Sequence, residues 1–130
     1  MKQIRLAIES NTGGSGKTTL STHLAYVLGN KGYRVVLIEL DANNSLSLFT
    51  GVPQIEADEI EESTAAIFDK HFKGNYPTVP IWTDHLNTVS LIRGGPPLDD
   101  AGRGLHLHKR PYEILRHRFE DYPIDADIII

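Results

Sequence analysis

Between Ser10 and Thr19 the chain reads Ser10-Asn11-Thr12-Gly13-Gly14-Ser15-Gly16-Lys17-Thr18-Thr19, with three glycines, one lysine and several hydroxyls in ten residues. That mixture suits an anion. Glycines let main-chain N–H groups close on oxygen atoms, because no Cβ stands between them. A helix starting at Lys17 adds its unpaired N–H groups and the positive end of its dipole. Lys17 then supplies a mobile charge for the β- and γ-phosphates of a nucleotide, and the Thr18 hydroxyl is suited to ligating Mg²⁺. On this reading Thr12, Gly13, Gly14, Ser15, Gly16, Lys17, Thr18 and Thr19 cradle a triphosphate. The bland alternative is a glycine-rich turn followed by a chance Lys-Thr, and a strand before it with a helix after it argues against that.

A second constellation is Glu39-Leu40-Asp41-Ala42-Asn43-Asn44. Strand alternation points Glu39 and Asp41 to the same side, where a strand leaves its sheet. Either acid could instead serve as a loop cap, and Asn43, Asn44 and Ser45 are ordinary turn formers. Other features are weaker. His106-Leu107-His108 lacks an evident third metal ligand. Arg103, Lys109, Arg110, Arg116 and Arg118 make a basic stretch in which no aromatic interleaving suggests base stacking, so it reads as a solvated face before it reads as a nucleic-acid surface. Glu56, Asp58, Glu59, Glu61 and Glu62 read as the exposed start of a helix, and Trp82 as a core or edge packer.

These groups need a scaffold. Ile4 to Ile8 reads as a strand feeding the glycine-rich loop. Leu20, Leu24, Val27 and Leu28 then recur as one helical face, ending near Gly29 to Gly32. Val35 to Ile38 is a continuous apolar run, as in a buried parallel strand. Together these make a βαβ unit. Farther on, Ser45 to Phe49 reads as a short helix. Asp58 is a plausible N-cap for a helix presenting Ile60, Thr64, Ile67, Phe68 and His71 on one face. Gly74 to Pro80 reads as loop, and Leu86 to Ile92 as a third strand. Pro111 can open a helix bearing Tyr112, Leu115 and Phe119. Asp127 to Ile130 begins another buried strand and stops in mid-run, so a cut-short chain is expected.

Composition sets the outer bounds. The 130 residues carry 13 Lys+Arg against 17 Asp+Glu, a formal net charge of −4, with 40% apolar and 23% charged residues. One ordinary globular domain fits those values. The absence of cysteine excludes disulfides and thiolate-held metals within it, and fits a reducing cytoplasm. No apolar run approaches the roughly 20 residues that span a bilayer, and Arg5 and Glu9 interrupt any signal-peptide core. Mild acidity argues against a general coat of charge for nucleic acid.

The loop departs from the general G-x-x-x-x-G-K-[ST] pattern, which would place a glycine at Asn11. It resembles instead the deviant Walker A loop of the ParA/MinD family, matching at Gly13, Gly14, Gly16, Lys17, Thr18 and Thr19. The likeness continues through His23-Leu24-Ala25 and Lys31 to Ile38, and resumes at Tyr122 to Ile130, similar to the strand that leads into the family's Walker B aspartate. It implies an α/β P-loop NTPase with a mostly parallel sheet flanked by helices. Residues 1–130 would be the amino-terminal part of a single ParA-like ATPase domain.

The resemblance further implies ATP and Mg²⁺, with Lys17 on the phosphates, Thr18 on the metal, and Asp41 as the acid that positions the attacking water and helps hold Mg²⁺ through its hydration shell. It implies an ATP-switched dimer that sandwiches nucleotide, binds DNA without sequence preference in full-length form, and is stimulated by a ParB-like or McdB-like protein. The setting would be the cytoplasm, at the nucleoid for the full-length protein, with a membrane not expected. One departure matters. The family's signature lysine, which reaches a dimer partner's phosphates, would fall at Thr12, and a hydroxyl cannot replace that charge. The McdA-like branch that positions carboxysomes resembles this chain in having a small hydroxyl residue there. Two other readings stay open: a P-loop kinase or ligase, and a non-catalytic nucleotide-binding module.

Overall fold

A computed structural model describes residues 2–8, 15–40, 45–98 and 111–130, with Ser15, Lys17 and Pro111 described by backbone alone. Strands β1 (Ile4–Arg5), β2 (Val35–Ile38), β3 (Thr78–Pro80), β4 (Val89–Ile92) and β5 (Ile128–Ile129) form one sheet in the order β1-β5-β2-β4-β3. All pairs are parallel except β3 against β4. Helices α1 (Ser15–Asn30), α2 (Ser45–Thr50) and α3 (Pro111–Asp121) and two 3-10 segments, Ile60–Glu62 and Thr64–Phe68, complete the described chain.

β2 lies between β5 and β4, so both its faces need cover, which is why Val35 to Ile38 is apolar without a break. Val35 and Leu37 join Ala25, Leu46, Val89, Leu91 and Ile128 on one face. Val36 joins Ile67, Ile92, Leu115, Phe119 and Ile129 on the other. β5 is buried in the same way, as the run at the end of the chain predicts.

The helix expected from Lys17 is present, but the face it buries is not the expected one. Ser21, Thr22, Ala25 and Gly29 are buried, whereas Leu20 is 56% and Val27 51% exposed. The reason is close approach. A Cβ at Gly29 would collide with Val89 Cγ2 and lie 3.3 Å from Leu86 Cδ1, so small residues are what let α1 sit down on the strands. Leu20 and Val27 lie on a flank of α1, while exposed Ile4 stands on the outer strand β1 and exposed Leu6 just beyond its end. The buried Thr22 hydroxyl donates to the Thr18 carbonyl at 2.7 Å. Gly32, at φ 93°, ends the helix, with its N–H donating to the Gly29 carbonyl at 2.9 Å and that of Tyr33 to Leu28 at 3.2 Å.

Other expectations need correction. No α-helix runs from Asp58 through His71. The 3-10 segments are separated by Ser63 in an extended conformation, and Asp58 caps neither. Tertiary bonding breaks the helix: the Thr64 N–H donates to the Arg93 carbonyl at 2.8 Å, stitching this stretch to the end of β4. Ile60 is accordingly exposed. Part of the supposed loop from Gly74 to Pro80 is the edge strand β3, where proline's missing N–H costs no ladder bond. The third strand starts at Val89, since the Leu86 N–H is spent in a turn on the Trp82 carbonyl. Ile4 to Ile8 forms ladder only at Ile4–Arg5. Trp82 packs edge-on to Tyr26 at 5.2 Å, as an edge packer should.

Candidate functional site

β1, β5, β2 and β4 are parallel, so their carboxyl ends share one rim of the sheet, the rim where open α/β sheets bind ligands. α1 follows β1 and leads back to the amino end of β2, which places its amino terminus at that rim. Gly16, Thr18 and Thr19 lie in the opening turns of α1, and Ser15 and Lys17 are helical there too. The first turn of α1 carries no acid, so the helix itself sets no negative charge at its own start. A Cβ on Gly16 would meet no atom within 4 Å, so this glycine is not needed to pack the protein against itself. Thr12, Gly13, Gly14 and Asp41 lie outside the described residues.

Glu39 is placed firmly. It follows β2, is 3% exposed, and accepts the Leu46 N–H on Oε2 at 2.8 Å and the Gly94 N–H on Oε1 at 3.1 Å. Its own N–H donates to the Ile92 carbonyl at 3.0 Å. Arg93, at the end of β4, is also buried; it donates to the Pro53 carbonyl at 2.8 Å and stands 3.8 Å from the Glu62 carboxylate. Among the described residues, Arg93 Nε and Ser47 Oγ are buried without a hydrogen-bond partner. Sequence reading passed over Arg93, although an arginine set between an apolar strand and a double glycine was a visible signal.

The weaker candidates separate. His106, His108, Arg103, Lys109 and Arg110 lie outside the described residues. Arg118 is structural: its Nε donates to the Ile67 carbonyl at 2.8 Å, and its guanidinium lies 5.9 Å from the Phe72 ring centre. No cluster of metal-ligating side chains occurs among the described residues, and no described helix is long and apolar enough to cross a membrane. Two described groups with shifted titration lie away from this rim. Burial pushes the Tyr76 hydroxyl up to about 12. The main-chain N–H and then the guanidinium of Arg34 hold the Asp127 carboxyl below its ordinary range.

Residues 6–127 match the family model described as the CobQ/CobB/MinD/ParA nucleotide binding domain. The chain belongs to this family. Among its relatives, a putative replication protein A of Rhizobium rhizogenes is 43% identical over 63 residues, covering 48% of this chain and 16% of that protein. A probable plasmid-partitioning protein ParA of Thermus thermophilus is 34% identical over 50 residues, covering 38% of this chain and 16% of that one. Other relatives are named as ATPases, such as a putative ATPase of Mycobacterium bovis, 31% identical over 62 residues, 48% of this chain and 18% of that protein.

The fold agrees. Cobyrinic acid a,c-diamide synthase of Mycobacterium smegmatis, solved with an ATP analogue and magnesium, superposes with a TM-score of 0.79 at 21% identity, over 99% of this chain and 50% of that one. McdA of Cyanothece does so with a TM-score of 0.79 at 20% identity, over 99% of this chain and 48% of that one. The chain thus spans about half the length of these structures and a smaller share of the curated relatives.

Proposed function

We propose that this chain is the nucleotide-binding part of a ParA-type positioning or partitioning ATPase that works as an ATP-switched dimer. One observation carries the reading: the glycine-rich segment enters α1 at the carboxyl rim of a parallel sheet, at a helix start free of acids and with open space at Gly16. The residues fit ATP with Mg²⁺. Main-chain N–H groups of 12–19 would hold the phosphates, Lys17 would offset their charge, and the Thr18 hydroxyl and Asp41 would hold the metal, directly and through water. Bound Mg²⁺ supplies charge neutralisation on the β- and γ-phosphates. Asp41 orients the attacking water.

Non-specific DNA, a ParB-like or McdB-like activator and a second copy of the chain are the partners this reading implies. With Thr12 in place of a lysine, no ammonium from this position reaches across the dimer. The partitioning and replication relatives support this reading over a P-loop ligase. The likeness to the diamide synthase favours the ligase as the second reading.

Titration of the chain with a slowly hydrolysed ATP analogue and Mg²⁺ tests the core of it. Binding is expected, and Lys17→Ala abolishes it; equal binding by the variant overturns the site. Turnover by residues 1–130 alone is expected to be weak or absent, and substantial magnesium-dependent hydrolysis contradicts that. Mass measurement with and without ATP separates the two readings, since an ATP-switched dimer doubles its mass and a ligase does not.

A further inference from the structure

α2 turns the wrong residues outward for a helix that only has to pack. Its small, polar Ser47 is fully buried, whereas the neighbouring Leu48 and Phe49 are 65% and 53% exposed. Ile60, in the first 3-10 segment, is 43% exposed. Apolar residues exposed singly are ordinary, but two large ones side by side over a buried serine set an apolar face towards water.

Arg93 brings these side chains to one place. Its guanidinium donates to the carbonyl of Pro53, just beyond α2, and stands 3.8 Å from Glu62, in the same 3-10 segment as Ile60. The support is fixed before any partner arrives. Glu39 accepts the Leu46 N–H at the start of α2, Gly51 at φ 77° closes it, and the Val52 N–H returns to the Ser47 carbonyl at 3.1 Å.

Charge says what covers this face. Residues 45–62 include Glu56, Asp58, Glu59, Glu61 and Glu62 and no lysine, arginine or histidine. Glu56, Asp58 and Glu61 are exposed, and among the described residues Glu62 alone of the five is paired with a cation. An apolar centre with an uncompensated acidic rim matches a segment that carries apolar residues on one face and Lys or Arg along its borders. Nucleic acid and anionic lipid are repelled by it, and a second copy would set like charges against each other.

We infer that Leu48, Phe49 and Ile60, rimmed by Glu56, Asp58 and Glu61, form a docking surface for a basic amphipathic segment of a partner protein. It uses no residue of the phosphate loop and not Asp41, so it stands apart from the nucleotide reading.

The probe is a synthetic helical peptide of leucine and lysine, with a leucine–glutamate peptide of the same pattern as control. Each is titrated into the whole chain, with affinity read from peptide fluorescence and the site from backbone amide shifts. Saturable binding of the lysine peptide is expected, with the largest shifts around Leu48, Phe49 and Ile60, and no binding of the glutamate peptide. Phe49→Ser should weaken binding about tenfold, the scale of leaving half an aromatic side chain in water. Asp58→Lys combined with Glu61→Lys should weaken it by about tenfold at low salt and change little in about 1 M salt, where charges are screened. Leu20→Ser, at an exposed leucine of α1, should leave affinity unchanged.

Shifts spread over the whole surface, or centred on Leu20 and Val27, overturn the proposal. So does an affinity indifferent to Phe49→Ser or to the paired charge reversal. The amide spectrum of each variant reports its folding, and should Phe49→Ser not fold, Leu48→Ser carries the same comparison. Self-association of the wild type without peptide, abolished by Phe49→Ser, would make a second copy the occupant and overturn the basic partner.

Discussion

The two rims of the sheet are each tied by an acid, in opposite ways. At the amino rim, Asp127 just before β5 accepts the Arg34 N–H at 2.9 Å, and the Arg34 guanidinium pairs with Asp125 and Asp127 in the open. At the carboxyl rim, Glu39 is buried and is held by main-chain N–H groups. An exposed ion pair is screened by water and salt, whereas a buried carboxylate on main-chain donors is charge-assisted and rigid. At the carboxyl rim the carboxylate ties the end of β2 to α2 and to the exit of β4 through main-chain donors.

Glu39→Leu tests the contrast most severely. It leaves two buried N–H groups without this acceptor, and a loss of about 2–5 kcal/mol in denaturant unfolding is expected. Gly29→Val comes next. At the amino rim, helix-to-strand packing outweighs charge, and forcing a side chain against Val89 should destabilise by about 1–3 kcal/mol. Leu20→Lys, on the exposed flank of the same helix, should stay within about 0.5 kcal/mol and serves as the control.

Arg34→Ala should lower the unfolding midpoint less than Gly29→Val does. The difference from wild type should vanish in about 1 M salt, where screening acts within roughly 3 Å. A larger, salt-independent loss would erase the distinction between the rims. The smallest effect is on pH dependence. Asp127 has a folded pKa below its ordinary 3.8, so its contribution is fully present above that value and fades as the pH falls through the lowered one. Asp127→Asn should flatten that acid limb in a thermal melt series and leave the neutral plateau's slope unchanged.

Legibility in the sequence followed locality. Val35 to Ile38 reads as a doubly buried strand because its apolar run needs no context. Gly32 ends α1 because a positive φ is a local demand. The β3 strand, the broken helix around Ser63 and the bridging by Glu39 were not legible, because each depends on a hydrogen bond to β4 or its exit from a distant part of the chain. The face of α1 misled for a related reason. Leucines mark hydrophobicity, but how closely a helix approaches a sheet is set by its smallest residues, and only the position of Val89 reveals which ones.

Residue order alone determined that a glycine-rich, lysine-bearing segment leads from a strand into a helix, since glycine's freedom and lysine's charge act wherever the chain goes. It also determined the family. Tertiary structure decided which flank of α1 is buried, that two acids guard opposite rims, and that Glu39 reaches two segments at once. Those outcomes rest on distances between residues far apart along the chain, which packing sets and periodicity does not encode.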